Sequence, residues 1–235
     1  MKYLASSVLL ALTLTVAHAE KLEPFNAAYA RTDYSSPYLA TKKWADEGSA
    51  SAQFDLGRMF ENGQGVGTDD HQAVFWYGKA AEQGYADAQT SLGELYARGR
   101  GLPRNDPYAV AWFRKAAEQG LARAQYDLAY MYSRGLGVPR DDQQAIDWYR
   151  KAAGQGVAKA QYNLGEIYAK GVGVPKDDQL AYFWWLLASS QGLAQAVEKR
   201  DFVELRLSPE QRAGGQAAAR SWIPKLVPVP VQQIP

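Results

Sequence analysis

The chain has 235 residues, 47% of them hydrophobic, and a formal net charge of +1. That is enough apolar material for a sizeable core, and the balanced charge gives no electrostatic reason to expect DNA or anionic lipid as a partner. The absence of cysteine excludes disulfides, thiolate metal sites, a cysteine nucleophile and a cysteine-linked lipid anchor, though it does not by itself locate the protein.

The N-terminus reads as a secretory signal peptide over residues 1–19. Lys2 supplies the positive start, Leu4 to Val16 is apolar apart from Ser and Thr, and Ala17-His18-Ala19 offers small residues for cleavage before Glu20. The apolar run is too short for a comfortable membrane span, and no later stretch of the mature chain is long and apolar enough to cross a bilayer. The expected destination is the periplasm or the medium. Residues 20–48 then read as a degenerate helix pair, Leu22 to Arg31 followed by Ser35 to Gly48.

From residue 49 onward the chain repeats itself every 36 residues. Ala52-Gln53 returns as Ala88-Gln89, Ala124-Gln125 and Ala160-Gln161. Leu56 returns as Leu92, Leu128 and Leu164, and Trp76 as Trp112, Trp148 and Trp184. The four units span residues 49–84, 85–120, 121–156 and 157–192. Within each, Ala52, Leu56, Met59 and Phe60 are spaced for one helical face, and Gly63 stands where a left-handed cap ends a helix. Asp69, Asn105, Asp141 and Asp177 are placed to cap a second helix. The small residues Ala52, Gly57, Ala80 and Ala81 allow close helix approach, while Trp76 and Phe60 fill the gaps. One pair cannot bury its apolar face alone, and stacked pairs can.

This pattern resembles the Sel1-like repeat family, a relative of tetratricopeptide arrays. The likeness is carried by Ala122-Arg123-Ala124-Gln125 through Gly135-Leu136-Gly137-Val138-Pro139-Arg140-Asp141, by Lys115-Ala116-Ala117-Glu118-Gln119-Gly120, and by their counterparts from Ser49 to Gly192. It implies an all-α fold, a right-handed α-α superhelix (solenoid) of stacked antiparallel helix pairs. The chain departs from the family pattern at Ala129, where Gly is usual, at Gly67, where a loop Pro is usual, and at Leu186-Leu187, where the other units carry a basic pair or Gly-Lys. The apolar last second helix is therefore expected to pack beneath the segment C-terminal to it.

Residues 193–222 read as C-terminal capping helices. Ala196 keeps the register, Arg200 breaks the motif, and Ser208-Pro209-Glu210-Gln211 starts a helix that runs to about Trp222. The tail, 223–235, alternates Pro with Val and suits either a frayed end or an extended docking strand.

Nothing in the motifs carries catalysis. His71 is the one histidine of the mature chain and lacks partners for a metal or acid–base site. The paired acids Asp141-Asp142 and Asp177-Asp178 recur with the repeat and are explained by capping, and the glycine-rich loops follow helices and lack a phosphate-binding Lys. No enzyme, cofactor or metal site is expected. Positions that vary between units on an exposed helical face are free for recognition, and the resemblance assigns the concave surface to the first helix of each pair. The candidate partner-binding residues are Phe54, Arg58 and Glu61, Thr90 and Glu94, Tyr126, Tyr130 and Ser133, and Tyr162 and Glu166, with packing of Phe54, Tyr126 and Tyr162 between repeats as the alternative. The resemblance implies a scaffold or adaptor of the bacterial cell envelope that binds a protein or peptide and no nucleic acid. Two other readings stay open: an enzyme or binder acting on cell-wall or β-lactam-type ligands, and a secreted factor that meets a host protein.

Overall fold

The computed structural model describes residues 35–224. The expected signal peptide, the helix expected over Leu22 to Arg31 and the Pro-Val tail from residue 225 lie outside the described residues. Among the described residues there are eleven α-helices and no strand. The backbone divides into two compact units, one closing at Tyr85 and the other opening at Ala86. The first holds α1 (Ser35–Asp46), α2 (Ala50–Asn62) and α3 (Asp70–Glu82). The second holds α4 (Ala86–Arg98), α5 (Asp106–Glu118), α6 (Ala122–Arg134), α7 (Asp142–Gly154), α8 (Ala158–Lys170), α9 (Asp178–Ser190), α10 (Ala194–Glu204) and α11 (Pro209–Ser221).

Local chemistry sets each helix boundary. Asp69, Asn105, Asp141 and Asp177 hold extended backbone and accept from the first free amides of α3, α5, α7 and α9. Ser208 and Gln211 complete a reciprocal capping box at α11. The first helices α6, α8 and α10 begin differently: Leu121, Val157 and Leu193 offer no side-chain cap. Instead, the N–H of Leu121 closes α5 on the Ala116 carbonyl while its own carbonyl accepts from Gln125 at the start of α6. Val157 does the same between α7 and α8. One residue ends a pair and starts the next.

Within a pair, the seam is an aromatic ring laid on a glycine. A Cβ on Gly57 would stand 2.6 Å from the Tyr77 ring, one on Gly93 would stand 2.7 Å from Phe113, and one on Gly165 would collide with the Trp185 indole. The position after the repeated Trp, occupied by Tyr77, Phe113, Tyr149 and Trp185, is therefore the deep core position, and all four are buried. The repeated Trp lies shallower than its strict recurrence suggests. Trp76 is buried, whereas Trp112, Trp148 and Trp184 are partly covered. Lysines lie over three of these rings, Lys79 at 5.0 Å, Lys115 at 4.1 Å and Lys151 at 3.7 Å. Leu56, Leu92, Leu128 and Leu164 are buried in every pair.

The recurrent glutamines form a satisfied buried polar ladder. In the first unit Gln53 donates to the Ala45 carbonyl at 3.0 Å and accepts from Gln83 at 2.7 Å. In the second, Gln125 donates to Ala117 and accepts from Gln155, and Gln161 donates to Ala153 and accepts from Gln191. Each amide ties the end of the preceding second helix to its own pair. Arg114 and Arg150 add donors to the Tyr132 and Tyr168 hydroxyls of the following first helices. The chain closes with α11 lying on α9, where Gln216 donates to the Tyr182 hydroxyl at 3.1 Å and Gly215 sits beneath the Tyr182 ring. The apolar last second helix thus packs under the C-terminal helices, with Leu187 buried where Lys79, Lys115 and Lys151 stand in the other pairs.

Candidate interaction face

The seam takes one side of each first helix, and the exposed stripe is what remains. In the first unit, of the three expected residues only Arg58 is exposed. Phe54 is wedged between Tyr77 and Tyr85, with ring centroids 5.6 and 5.2 Å away, and Glu61 accepts from the Tyr77 hydroxyl at 2.8 Å. These two side chains serve packing. Asp55 is half-buried, and burial raises its carboxyl above the ordinary range against the pull of Arg58.

In the second unit Thr90 is a correction. It is buried, and its hydroxyl donates to the Ala86 carbonyl one turn back, so it does not line a surface. Tyr126 and Tyr162 are half-buried. The Tyr126 ring packs on Tyr149 at 5.9 Å, and the Tyr162 carbonyl accepts from the Trp185 indole at 3.2 Å. Tyr130 is 40% exposed. Ser133 donates to the Tyr130 carbonyl and lies 3.5 Å from the Tyr149 hydroxyl. Glu94 pairs with Arg98 and Arg123, and Glu166 with Lys170 and Lys199. Burial opposes the charge of Glu166, but the two lysines together hold its carboxyl below the ordinary range.

The outward stripe therefore runs one residue further along than the sequence spacing suggested, through Ser91, Glu94 and Arg98 on α4, Arg123, Asp127, Tyr130 and Arg134 on α6, and Lys159, Asn163, Glu166 and Lys170 on α8. Asp127 and Asn163 were missed. The available signal was the register position 55, 91, 127 and 163, which holds Asp, Ser, Asp and Asn, short and polar in every unit. The Asp127 carboxyl is pushed up to about 7, first by burial and then by the charge of Glu94, against Arg123, Arg98 and Lys159. Its Oδ2 accepts no hydrogen bond from the protein.

Between α6 and α8 the face dips into a pocket of ≈ 170 Å³. Tyr149, Ile167 and Val172 supply its apolar lining, Ser133 and Asn163 its polar wall, and Tyr130, Arg134, Glu166 and Lys170 the remainder. Asn163 stands beside the Tyr126 and Tyr149 hydroxyls. Burial pushes the Tyr149 hydroxyl up to about 12. His71 is exposed at the start of α3, and among the described residues no group of three His, Cys, Asp or Glu side chains could hold a metal ion. No helix among them is long and apolar enough to cross a membrane.

The Sel1 repeat pattern matches residues 50–85, 86–121, 122–157 and 158–193, the four stretches occupied by the pairs α2 to α9. The chain belongs to the Sel1 repeat family. Among solved structures, a Sel1 repeat protein from Oxalobacter formigenes is 34% identical, with a TM-score of 0.68 over 73% of this chain and 71% of that one. A protective antigen of uropathogenic Escherichia coli displaying an SLR fold is 31% identical, with a TM-score of 0.57 over 86% of this chain and 52% of its own length. An immunity protein from Pseudomonas aeruginosa, at 18% identity and a TM-score of 0.50, covers 92% of this chain and 89% of its own and shares the fold. No curated protein matches the chain. In Sel1 terms, the recurrent Ala, Gln, Leu and Gly positions are those of the seam and ladder, and the positions that change from repeat to repeat are those of the outward stripe.

Proposed function

We propose that this Sel1 repeat chain is a non-enzymatic scaffold of the bacterial cell envelope, exported by residues 1–19, which binds a protein or peptide on the outward stripe of α4, α6 and α8. The observation that carries the reading is the position of Tyr130. It is a large aromatic left 40% exposed on a helix whose other large apolar side chains are buried or partly covered, and it stands among charged side chains at the middle of the stripe. An exposed aromatic with charged neighbours suits a partner's anchor residues. Sel1 repeats generally mediate protein–protein contacts, which supports the class of partner. The signal pattern of Lys2, Leu4 to Val16 and Ala17-His18-Ala19 supports the compartment.

The test is a photo-crosslinking amino acid placed at Tyr130 in whole cells, with the exposed Glu118 on α5 as the control position. A discrete adduct at residue 130 and none at 118 is expected. Equal capture at both, or none at 130 in folded, exported protein, removes the reading. Mass spectrometry of the purified protein is expected to find Glu20 as the first residue.

A further inference from the structure

The pocket between α6 and α8 has the chemistry of a single side-chain socket. At ≈ 170 Å³ it is smaller than the roughly 300 Å³ at which drug-sized ligands begin to fit. Part of its polar wall is already engaged. Ser133 donates to the Tyr130 carbonyl, and Glu166 is held by Lys170 and Lys199. Ser133 and Glu166 are already partnered, so an apolar group entering beside Tyr149, Ile167 and Val172 takes no hydrogen bond from them, while a polar one gives up water against an apolar lining. The apolar contacts it gains come from Tyr149, Ile167 and Val172.

The rim differs from the floor. Arg134 lies against the Tyr130 ring at 5.7 Å and forms no ion pair among the described residues, and Lys170 and Lys199 outnumber the Glu166 they share. The opening therefore carries positive charge. Resting on the proposed interaction face, we infer that this socket takes one apolar side chain of a partner segment, and that the residue next to it is acidic and pairs with Arg134.

Titration of the isotope-labelled mature chain with three synthetic hexapeptides, followed by two-dimensional NMR, tests this. The probes are Gly-Gly-Leu-Glu-Gly-Gly, its Leu-to-Ala version and its Glu-to-Lys version. The Leu-Glu peptide is expected to shift the Tyr130 and Asn163 amide signals at millimolar concentration, with the other two weaker by about tenfold, the loss of about 1.4 kcal/mol. Arg134→Glu, a change on an exposed side chain, is expected to reverse the preference toward the Leu-Lys peptide, and Ile167→Trp to abolish the shifts by filling the socket. Equal shifts for the three peptides, shifts confined to other residues, or none at about 10 mM overturn the socket. A crosslink at Tyr130 alongside any of these results leaves the interaction face standing and removes only the socket, whereas loss of the crosslink as well removes both.

Discussion

The two sides of α4, α6 and α8 obey different rules. The inner side repeats residue for residue, with Ala88, Ala124 and Ala160, then Gln89, Gln125 and Gln161, then Leu92, Leu128 and Leu164, all buried. The outer side changes at each step: Ser91, Asp127 and Asn163, then Glu94, Tyr130 and Glu166. Half a helical turn separates the residues that hold the pairs together from those left to meet something else. Stability and recognition are thus assigned by angle around the helix, and substitutions on the two sides are expected to have separable effects.

The largest loss is expected from closing the seam. Gly165→Val places a branched side chain inside the Trp185 indole and is expected to cost about 3 kcal/mol or more, read as a fall in the urea midpoint. Ala129 stands at the same register position and already carries a Cβ in the buried seam, so Ala129→Gly is expected to cost only about 1 kcal/mol, the penalty of a helical glycine. Next comes the ladder. Gln125→Ala removes two hydrogen bonds, to the Ala117 carbonyl and from the Gln155 amide, each of which keeps a second partner through Gly120, and a loss of about 1–2 kcal/mol is expected by the same measurement.

Asp127 crosses from one side to the other, and pH sharpens the comparison. Its folded-state carboxyl titrates at about 7, above the ordinary 3.8. The folded protein therefore keeps a proton that the unfolded chain releases, and stability contributed by that proton is complete below pH 3.8 and is lost as pH rises toward 7. Asp127→Asn removes the dependence. The variant is expected to match the parent near pH 4 and to exceed it by up to about 4 kcal/mol above pH 7, seen as a Tm difference that widens between those values and then stays constant. A constant difference at every pH would show that the carboxyl is not displaced. The smallest stability effect belongs to Tyr130→Ala, expected within about 0.5 kcal/mol of the parent, with loss of the crosslinked partner from a co-purification assay.

The fold was legible because its determinants recur. Ala, Gln, Leu and Gly at a fixed period of 36 identify the pairs, and Asp69, Asn105, Asp141 and Asp177 mark their second helices. Two things were not legible. The deep ring position holds Tyr77, Phe113, Tyr149 and Trp185: opposite a glycine or alanine any large ring fills the space, so identity drifts and the more constant Trp beside it draws attention. The outward stripe was displaced by one residue because spacings of three and four fit both 126–130–133 and 127–130–134. Only the packing of Tyr126 on Tyr149 and the burial of Thr90 separate the two.

The shared joints at Leu121, Val157 and Leu193 have a consequence for how such a chain can change length. Excising residues 121–156 would splice Gly120 to Val157, restoring the same Gly-to-aliphatic step with the same closing and opening bonds. The molecule has no linker to redesign when a module is lost or copied. Its reach along a partner can therefore grow or shrink in whole steps of one helix pair, while the surface that each step presents is free to diverge.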